Sequence, residues 1–254
     1  MVDVAGIVRR MARRELRRRG REVVSWPNPA GLPAALRKAI DRLGIALVLD
    51  VGAFEGQFAD LLRTTVDYRG TIISFEPSPA SAVPLTVRAD LDPSWHVRNQ
   101  AVGDAAGLAT LHVYENASLS SLHAPSDFAQ KHWNFGASTD VQVEVVTLES
   151  CLPALIAEHG RPALLKIDAQ GHDLAVLRGA GDCIEEVELI LTEVAVEPLY
   201  PGVPGFSATV SAIEAFGYEP LGFWPIVTEE QGHHSADDLR VIEFDGLFRR
   251  RTVR

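Results

Sequence analysis

Four short stretches of the 254-residue chain place acids and glycines where an apolar run stops. The first is Leu47-Val48-Leu49-Asp50-Val51-Gly52-Ala53-Phe54-Glu55-Gly56, an apolar strand followed by an acid and a small-residue turn that opens a helix. In a doubly wound sheet this is the carboxyl end of the first strand, where ligands bind. Gly52 and Gly56 let a ligand come close to the backbone and let the turn enter conformations closed to residues with a β-carbon. A dinucleotide site needs the spacing G-x-G-x-x-G to cradle a pyrophosphate at the helix N-terminus. Here the middle glycine is missing, and Asp50 beside the turn would repel a diphosphate. The same acid suits a cationic ligand. S-adenosylmethionine, which carries an ammonium and a sulfonium, fits that charge better than NAD does.

The second stretch, Ile73-Ser74-Phe75-Glu76-Pro77, puts a carboxylate 26 residues after Asp50, at the expected neighbouring strand tip. Glu76 can accept hydrogen bonds from both hydroxyls of a ribose. The third, Asn99-Gln100-Ala101-Val102-Gly103-Asp104, offers apolar residues to flank an adenine ring and a backbone group or Asp104 to meet its amino group. The fourth is Leu164-Leu165-Lys166-Ile167-Asp168-Ala169-Gln170-Gly171-His172-Asp173. Lys166, one of only three lysines, lies inside an otherwise apolar strand. Burying a lysine costs too much unless it is paired, so Asp168 or Glu193, the acid that ends Leu189-Ile190-Leu191-Thr192-Glu193, is its expected partner. The candidate cofactor contacts are therefore Asp50, Gly52, Ala53, Glu55, Gly56, Glu76, Pro77, Ala101, Val102 and Asp168. The candidate catalytic groups are Asp168, then His172, with Lys166 beside them; Asp168 and Glu193 could also offer oxygen ligands to Mg²⁺. His123, His132, His233 and His234 have no metal-ligand spacing and read as loop or surface residues.

Positioning these tips requires a particular set of elements. From residue 45 onward short apolar runs alternate with helical stretches, the pattern of a mostly parallel, doubly wound α/β sheet covered by helices on both faces. The spacing predicts strands at 46–51, 71–76, 95–102, 163–168 and 188–194, and helices at 56–65, 79–90, 148–159, 173–179 and 206–217. Two further strand-like runs, 110–114 and 141–147, flank a polar stretch with Ser118, Ser120 and Ser121, and 218–226 with 239–244 reads as a closing antiparallel pair. Residues 1–44 read as an N-terminal helical extension to a domain over 45–254. Its first 20 residues read as a basic amphipathic helix that packs on the body or on a partner subunit of a homo-oligomer, with attachment to a membrane surface or contact with substrate as the alternatives, and Leu32–Leu43 reads as a second helix.

Charge and composition narrow the partners. The net charge is −10, but residues 1–22 hold eight Arg against Asp3, Glu15 and Glu22, which is +5, so the remainder carries −15. A body that acidic repels a phosphate backbone, so nucleic acid is a poor candidate partner and a small molecule a better one. Cys151 and Cys183 lack any metal-ligand spacing and read as reduced core thiols. No stretch approaches the roughly 18 apolar residues of a membrane span, and the N-terminus lacks a secretory apolar core. The expected location is the cytoplasm.

Taken together, DVGAFEGQF at 50–58, FEP at 75–77, AVGD at 101–104, SLSSL at 118–122, LLKIDAQGHDLAVLRGA at 164–180 and EPLYPG at 197–202 resemble the FkbM-type methyltransferases of the class I, Rossmann-like fold, over about residues 46–244. The resemblance implies a seven-stranded sheet and transfer of a methyl group from S-adenosylmethionine. The expected acceptor is a hydroxyl of a sugar, polyketide or other specialised metabolite, with a nitrogen as the alternative. It also implies that Asp50, Gly52, Gly56, Glu76 and Val102 line the cofactor pocket and that Asp168 lies nearest the reacting methyl. Phe54 departs from the family's common Asn, and His172-Asp173 from a small residue and Glu. The rival readings are a non-catalytic adenosine-binding protein and an NAD-dependent oxidoreductase. Residues 118–133, with the loop around Tyr200, are expected to form a mobile cover over the acceptor, whose site would be shaped by loops at 116–139, 198–206 and 227–237.

Overall fold

A computed structural model describes residues 30–228 and 241–252. The basic helix expected over the first 20 residues, and His233 and His234, lie outside the described residues. The helices are α1 (Leu32–Leu43), α2 (Gln57–Leu61, continued by a π-helical turn over Leu62–Val66), α3 (Pro79–Ala89), α4 (Asp127–His132), α5 (Leu148–His159), α6 (Asp173–Arg178) and α7 (Phe206–Ala215). The strands are β1 (Leu47–Val51), β2 (Thr71–Phe75), β3 (Trp95–Arg98), β4 (Ala101–Val102), β5 (Gly107–Tyr114), β6 (Ser138–Val146), β7 (Ala163–Ile167), β8 (Val187–Ala195), β9 (Tyr218–Thr228) and β10 (Val241–Arg250).

Seven strands form one sheet in the order β3-β2-β1-β7-β8-β10-β9. Only β10 runs against the rest, pairing antiparallel with both β8 and β9. The architecture is the doubly wound, mostly parallel seven-stranded sheet that the sequence predicts. All five residues of β1 are buried, as a central parallel strand covered on both faces must be. Alternation then sorts side chains between two cores. Leu47, Leu49 and Val51 join Phe75, Leu165 and Ile190 on the face covered by α5, α6 and α7. Val48 joins Ile72, Leu164 and Leu189 on the other, under α1 and α3. The helix α1 buries Leu36 and Ile40 in that second core.

The single strand expected at 95–102 is two strands in different sheets. β3 ends the main sheet beside β2, whereas β4 pairs with β6 in a small sheet of order β4-β6-β5. The break is at Asn99, whose side-chain amide donates to the carbonyls of Glu76 (2.7 Å) and Pro77 (3.0 Å) and so ties the crossing to the tip of β2. The small sheet is locked to the main body at Gly179, the residue after α6. A β-carbon there would sit 1.9 Å from the carbonyl oxygen of Gly103, just past β4.

Gly179 has an ordinary helical φ, so only that contact opposes a side chain. Gly179→Ala should therefore destabilise the protein by about 1–3 kcal/mol, the usual cost of overpacking. A urea unfolding midpoint equal to that of the wild type would show that the small sheet is not clamped at this point.

Candidate active site

The site begins with a polar row across an otherwise apolar sheet. Parallel registers place Ser74, Asp50 and Lys166 side by side on β2, β1 and β7. Trp95 Nε1 donates to Ser74 Oγ (2.9 Å), which donates to Asp50 Oδ2 (3.2 Å). The Lys166 ammonium lies 3.3 Å from Asp50 Oδ1, without a well-directed hydrogen bond to it, and 3.3 Å from Asp168 Oδ2; it donates to the Gly52 carbonyl at 2.9 Å. Burial opposes its charge, but Asp168, Asp50 and Glu193 outweigh that cost and hold its pKa above the ordinary lysine value. Lys166 thus remains an ammonium that positions two carboxylates and a turn, and it cannot serve as a base. Its partners are Asp168, one of the two acids expected, and Asp50. Asp50 itself is fully buried behind the cavity wall, because its charge is answered from within the sheet.

Above this row lies a cavity of about 520 Å³. Gly52, Ala53, Glu76, Pro77, Ala101 and Val102 line it, as do Lys166, Asp168 and His172. Gly56 does not; its missing side chain makes room for Leu85 and Trp95. Glu55 is exposed and points away. Gly52 has φ +72°, and a β-carbon on it would lie 1.8 Å from the Asp168 carbonyl oxygen, so the tips of β1 and β7 touch through it. Phe54, where the family commonly has Asn, also takes a left-handed φ of 48°, a conformation that Asn tolerates and Phe does not favour. Its amide donates to Glu76 Oε2 (2.8 Å), and the Ser78 amide donates to Oε1 (2.8 Å). Burial pushes the Glu76 pKa up while these two amides oppose the shift. A carboxylate has about four acceptor positions, so one on each oxygen is left for a ligand.

At the far end the tip of β7 meets the cover. Asp168 Oδ1 accepts from the Gln170 side-chain amide (2.9 Å), which also reaches Glu193 Oε2 (3.3 Å). Gln170 Oε1 accepts from Tyr200 (3.1 Å), and its carbonyl accepts from Ser121 (2.6 Å). The expected cover is packed, with Leu119, Ala129, Phe135, Leu199 and Tyr200 sharing a small core. His172 pairs with His123, Nδ1 to Nε2 at 3.1 Å, and burial lowers both pKa values. Gly103 leaves room for this ring, since a β-carbon there would sit 2.9 Å from His172 Nε2. His123, Gln170 and Ser74 were not among the expected site residues. Ser74 and Gln170 lie inside the second and fourth of the strand-end stretches, whereas His123 carried no sequence signal.

Asp168 and Glu193, the residues expected to offer oxygens to Mg²⁺, are engaged by other side chains. Both are bridged by the Gln170 amide, and the other oxygen of Asp168 faces Lys166. Among the described residues no group of three or more His, Cys, Asp or Glu is arranged to hold a metal ion. Both cysteines are free. No helix among the described residues is long and apolar enough to cross a membrane.

Residues 50–220 match the methyltransferase FkbM domain. The chain belongs to the FkbM methyltransferase family. All six of its motifs, from the Asp50 turn to EPLYPG, fall inside the matched FkbM region. No curated protein matches the chain. Among solved structures it is similar to methyltransferase FkbM from Methylobacillus flagellatus KT, at 14% identity and a TM-score of 0.42 over 79% of this chain and 43% of that one. It is also similar to TehB from Haemophilus influenzae (10% identity, TM-score 0.44, 86% of this chain and 62% of that one). A third is Aeropyrum pernix fibrillarin, solved with natively bound S-adenosyl-L-methionine (10% identity, TM-score 0.44, 81% and 66%). The chain spans less than half the length of the first of these and less than two thirds of the second.

Burial and repulsion from Asp168 raise Glu243 to about 8 and lift Glu193 above the usual carboxylate range. Between pH 6.5 and 8.5 the folded protein therefore holds protons that the unfolded chain has lost, and stability falls as pH rises. His123 and His172, lowered by burial, act in the opposite sense near pH 6.5, and Glu243→Gln leaves their contribution in place. Unfolding free energy measured at intervals from pH 6.5 to 8.5 should decline in the wild type and decline less in Glu243→Gln. Parallel profiles for the two proteins would refute the assignment.

Proposed function

We propose that this FkbM-family methyltransferase uses S-adenosylmethionine to methylate a hydroxyl of a small molecule. The observation that carries the cofactor is Glu76. Its two oxygens are each held by one backbone amide, and each keeps an acceptor position toward the cavity, which suits adjacent ribose hydroxyls. Gly52 lets a ligand lie against the backbone, and Ala101 and Val102 offer an apolar wall for an adenine. When bound, the cofactor supplies an electrophilic methyl group.

The protein's part is alignment and proton removal. Holding the acceptor in line with the methyl carbon can supply about 7–11 kcal/mol. Lys166 and Gln170 fix Asp168 from both sides, leaving its exposed surface on the cavity as a proton acceptor for the hydroxyl. A second reading gives that role to His172, because its pairing with His123 and its lowered pKa keep a neutral imidazole on the same wall. No step is assigned to Mg²⁺.

Glu76→Ala should weaken binding of S-adenosylhomocysteine, the demethylated cofactor, by about 1.5–3 kcal/mol in a calorimetric titration. Unchanged affinity would remove the ribose assignment, and tighter binding of NAD by the wild type would remove the cofactor itself. Asp168→Asn preserves shape and removes charge, so turnover with an accepted substrate should fall about 10²-fold or more while S-adenosylhomocysteine affinity changes little. Near-normal turnover would pass the base to His172, to be checked with His172→Gln.

A further inference from the structure

A second cavity, of about 350 Å³, lies behind Gln170 and His172, both of which also line the first. That volume is at the small end of the range for organic ligands. Its floor is acidic. Glu193 and Glu243 line it from β8 and β10, and the opposed pairing of Asp245 with Glu193 brings a third carboxylate to the same sheet face. Like charges directly opposite on paired strands repel.

Among the described residues no side chain forms an ion pair with Glu193 or Glu243. Lys166 is occupied by Asp50 and Asp168, and Arg178, at the rim, pairs with Asp104 (3.4 Å). Glu193 has one neutral donor, Gln170. Glu243 is half-buried on the cavity wall, and its side chain has no hydrogen bond or ion pair among the described residues. Carboxylates buried together without a counter-charge are costly to ionise and retain protons, so a cation seated at this cavity wall would take the place of those protons. The remaining walls suit an organic cation. Leu174, Leu199 and Val203 can pack on an aliphatic stem, and Tyr200 presents a ring to a cation. An ammonium brings three donors, enough to bridge Glu193 and Glu243, whereas a neutral polyol brings donors without charge.

We propose that the second cavity binds a protonated amine of the methyl acceptor, held between Glu193 and Glu243 while the acceptor's reacting group reaches past Gln170 to the first cavity. The assignment of that amine to the acceptor rests on the methyl-transfer reading; the amine site itself does not. The acceptor class is accordingly an amino alcohol or amino sugar rather than a neutral glycoside or polyketide.

The test uses the full chain and two probes of equal length, 1,4-diaminobutane and butane-1,4-diol, titrated calorimetrically at neutral pH. The diamine should bind and the diol should not. Glu243→Gln should weaken the diamine by about 10-fold or more, while the exposed-surface variant Glu158→Gln leaves it unchanged. S-adenosylhomocysteine titrated into the same samples reports folding of the variant and, separately, the cofactor reading. Intact S-adenosylhomocysteine binding with no diamine binding overturns the amine site alone. Equal binding of diol and diamine, an unaffected Glu243→Gln, or MgCl₂ binding that displaces the diamine each overturns it as well, the last in favour of a divalent-ion site.

Discussion

A single buried ammonium organises the cavity-lining edge of this sheet. Lys166 sits where three parallel strands bring Ser74, Asp50 and itself into one row, and its charge is shared between an acid behind the cavity and an acid on it. Removing one partner of such a set leaves a buried charge unpaired, which typically costs about 3–5 kcal/mol. The geometry of Asp168, of the Gly52 carbonyl and thus of the turn before α2 all depend on that one side chain. The polar row is also why the cavity's apolar and ionic parts stay separate: the sheet answers Asp50 internally, leaving Glu76 and Asp168 to face a ligand.

The strand tips were legible in the sequence because a buried parallel strand is a continuous apolar run, and its end shows as an acid or a glycine. Asp50, Glu76, Asp168 and Glu193 were all found this way. The partner of Lys166 was only half legible. Register decides which residues of different strands stand abreast, and nothing local to Asp50 says that residue 166 will be its neighbour. His123 and His172, 49 residues apart, meet only because the cover folds back over β7, so their pairing had no local mark.

The expectation of one strand over 95–102 failed for a related reason. Both halves are apolar enough to be strands, but Asn99 spends its side chain on the backbone of Glu76 and Pro77, and the chain leaves the sheet there. The break shapes the cavity, because it places Ala101 and Val102 on its wall when a continuous β3 would have carried them along the sheet edge. Phe54 shows the opposite case, a departure visible in sequence whose meaning was not. Its left-handed backbone is one that Asn tolerates better than Phe, and the bond from its amide to Glu76 compensates for the poor conformer.

Gln170 stands in a left-handed conformation, φ 47°, that a non-glycine residue adopts only when its surroundings hold it there. Those surroundings are Ser121 on its carbonyl, Tyr200 on its amide oxygen, and Asp168 and Glu193 on its amide nitrogen. Its side chain is a shared wall between two cavities, and one amide cannot reorient for one of them alone. If ligands occupy both cavities, occupancy on one side would be felt on the other, and thermodynamic reciprocity would make the effect equal in both directions. Order of addition would then govern the rate at which a ternary complex assembles but leave its final stability unchanged.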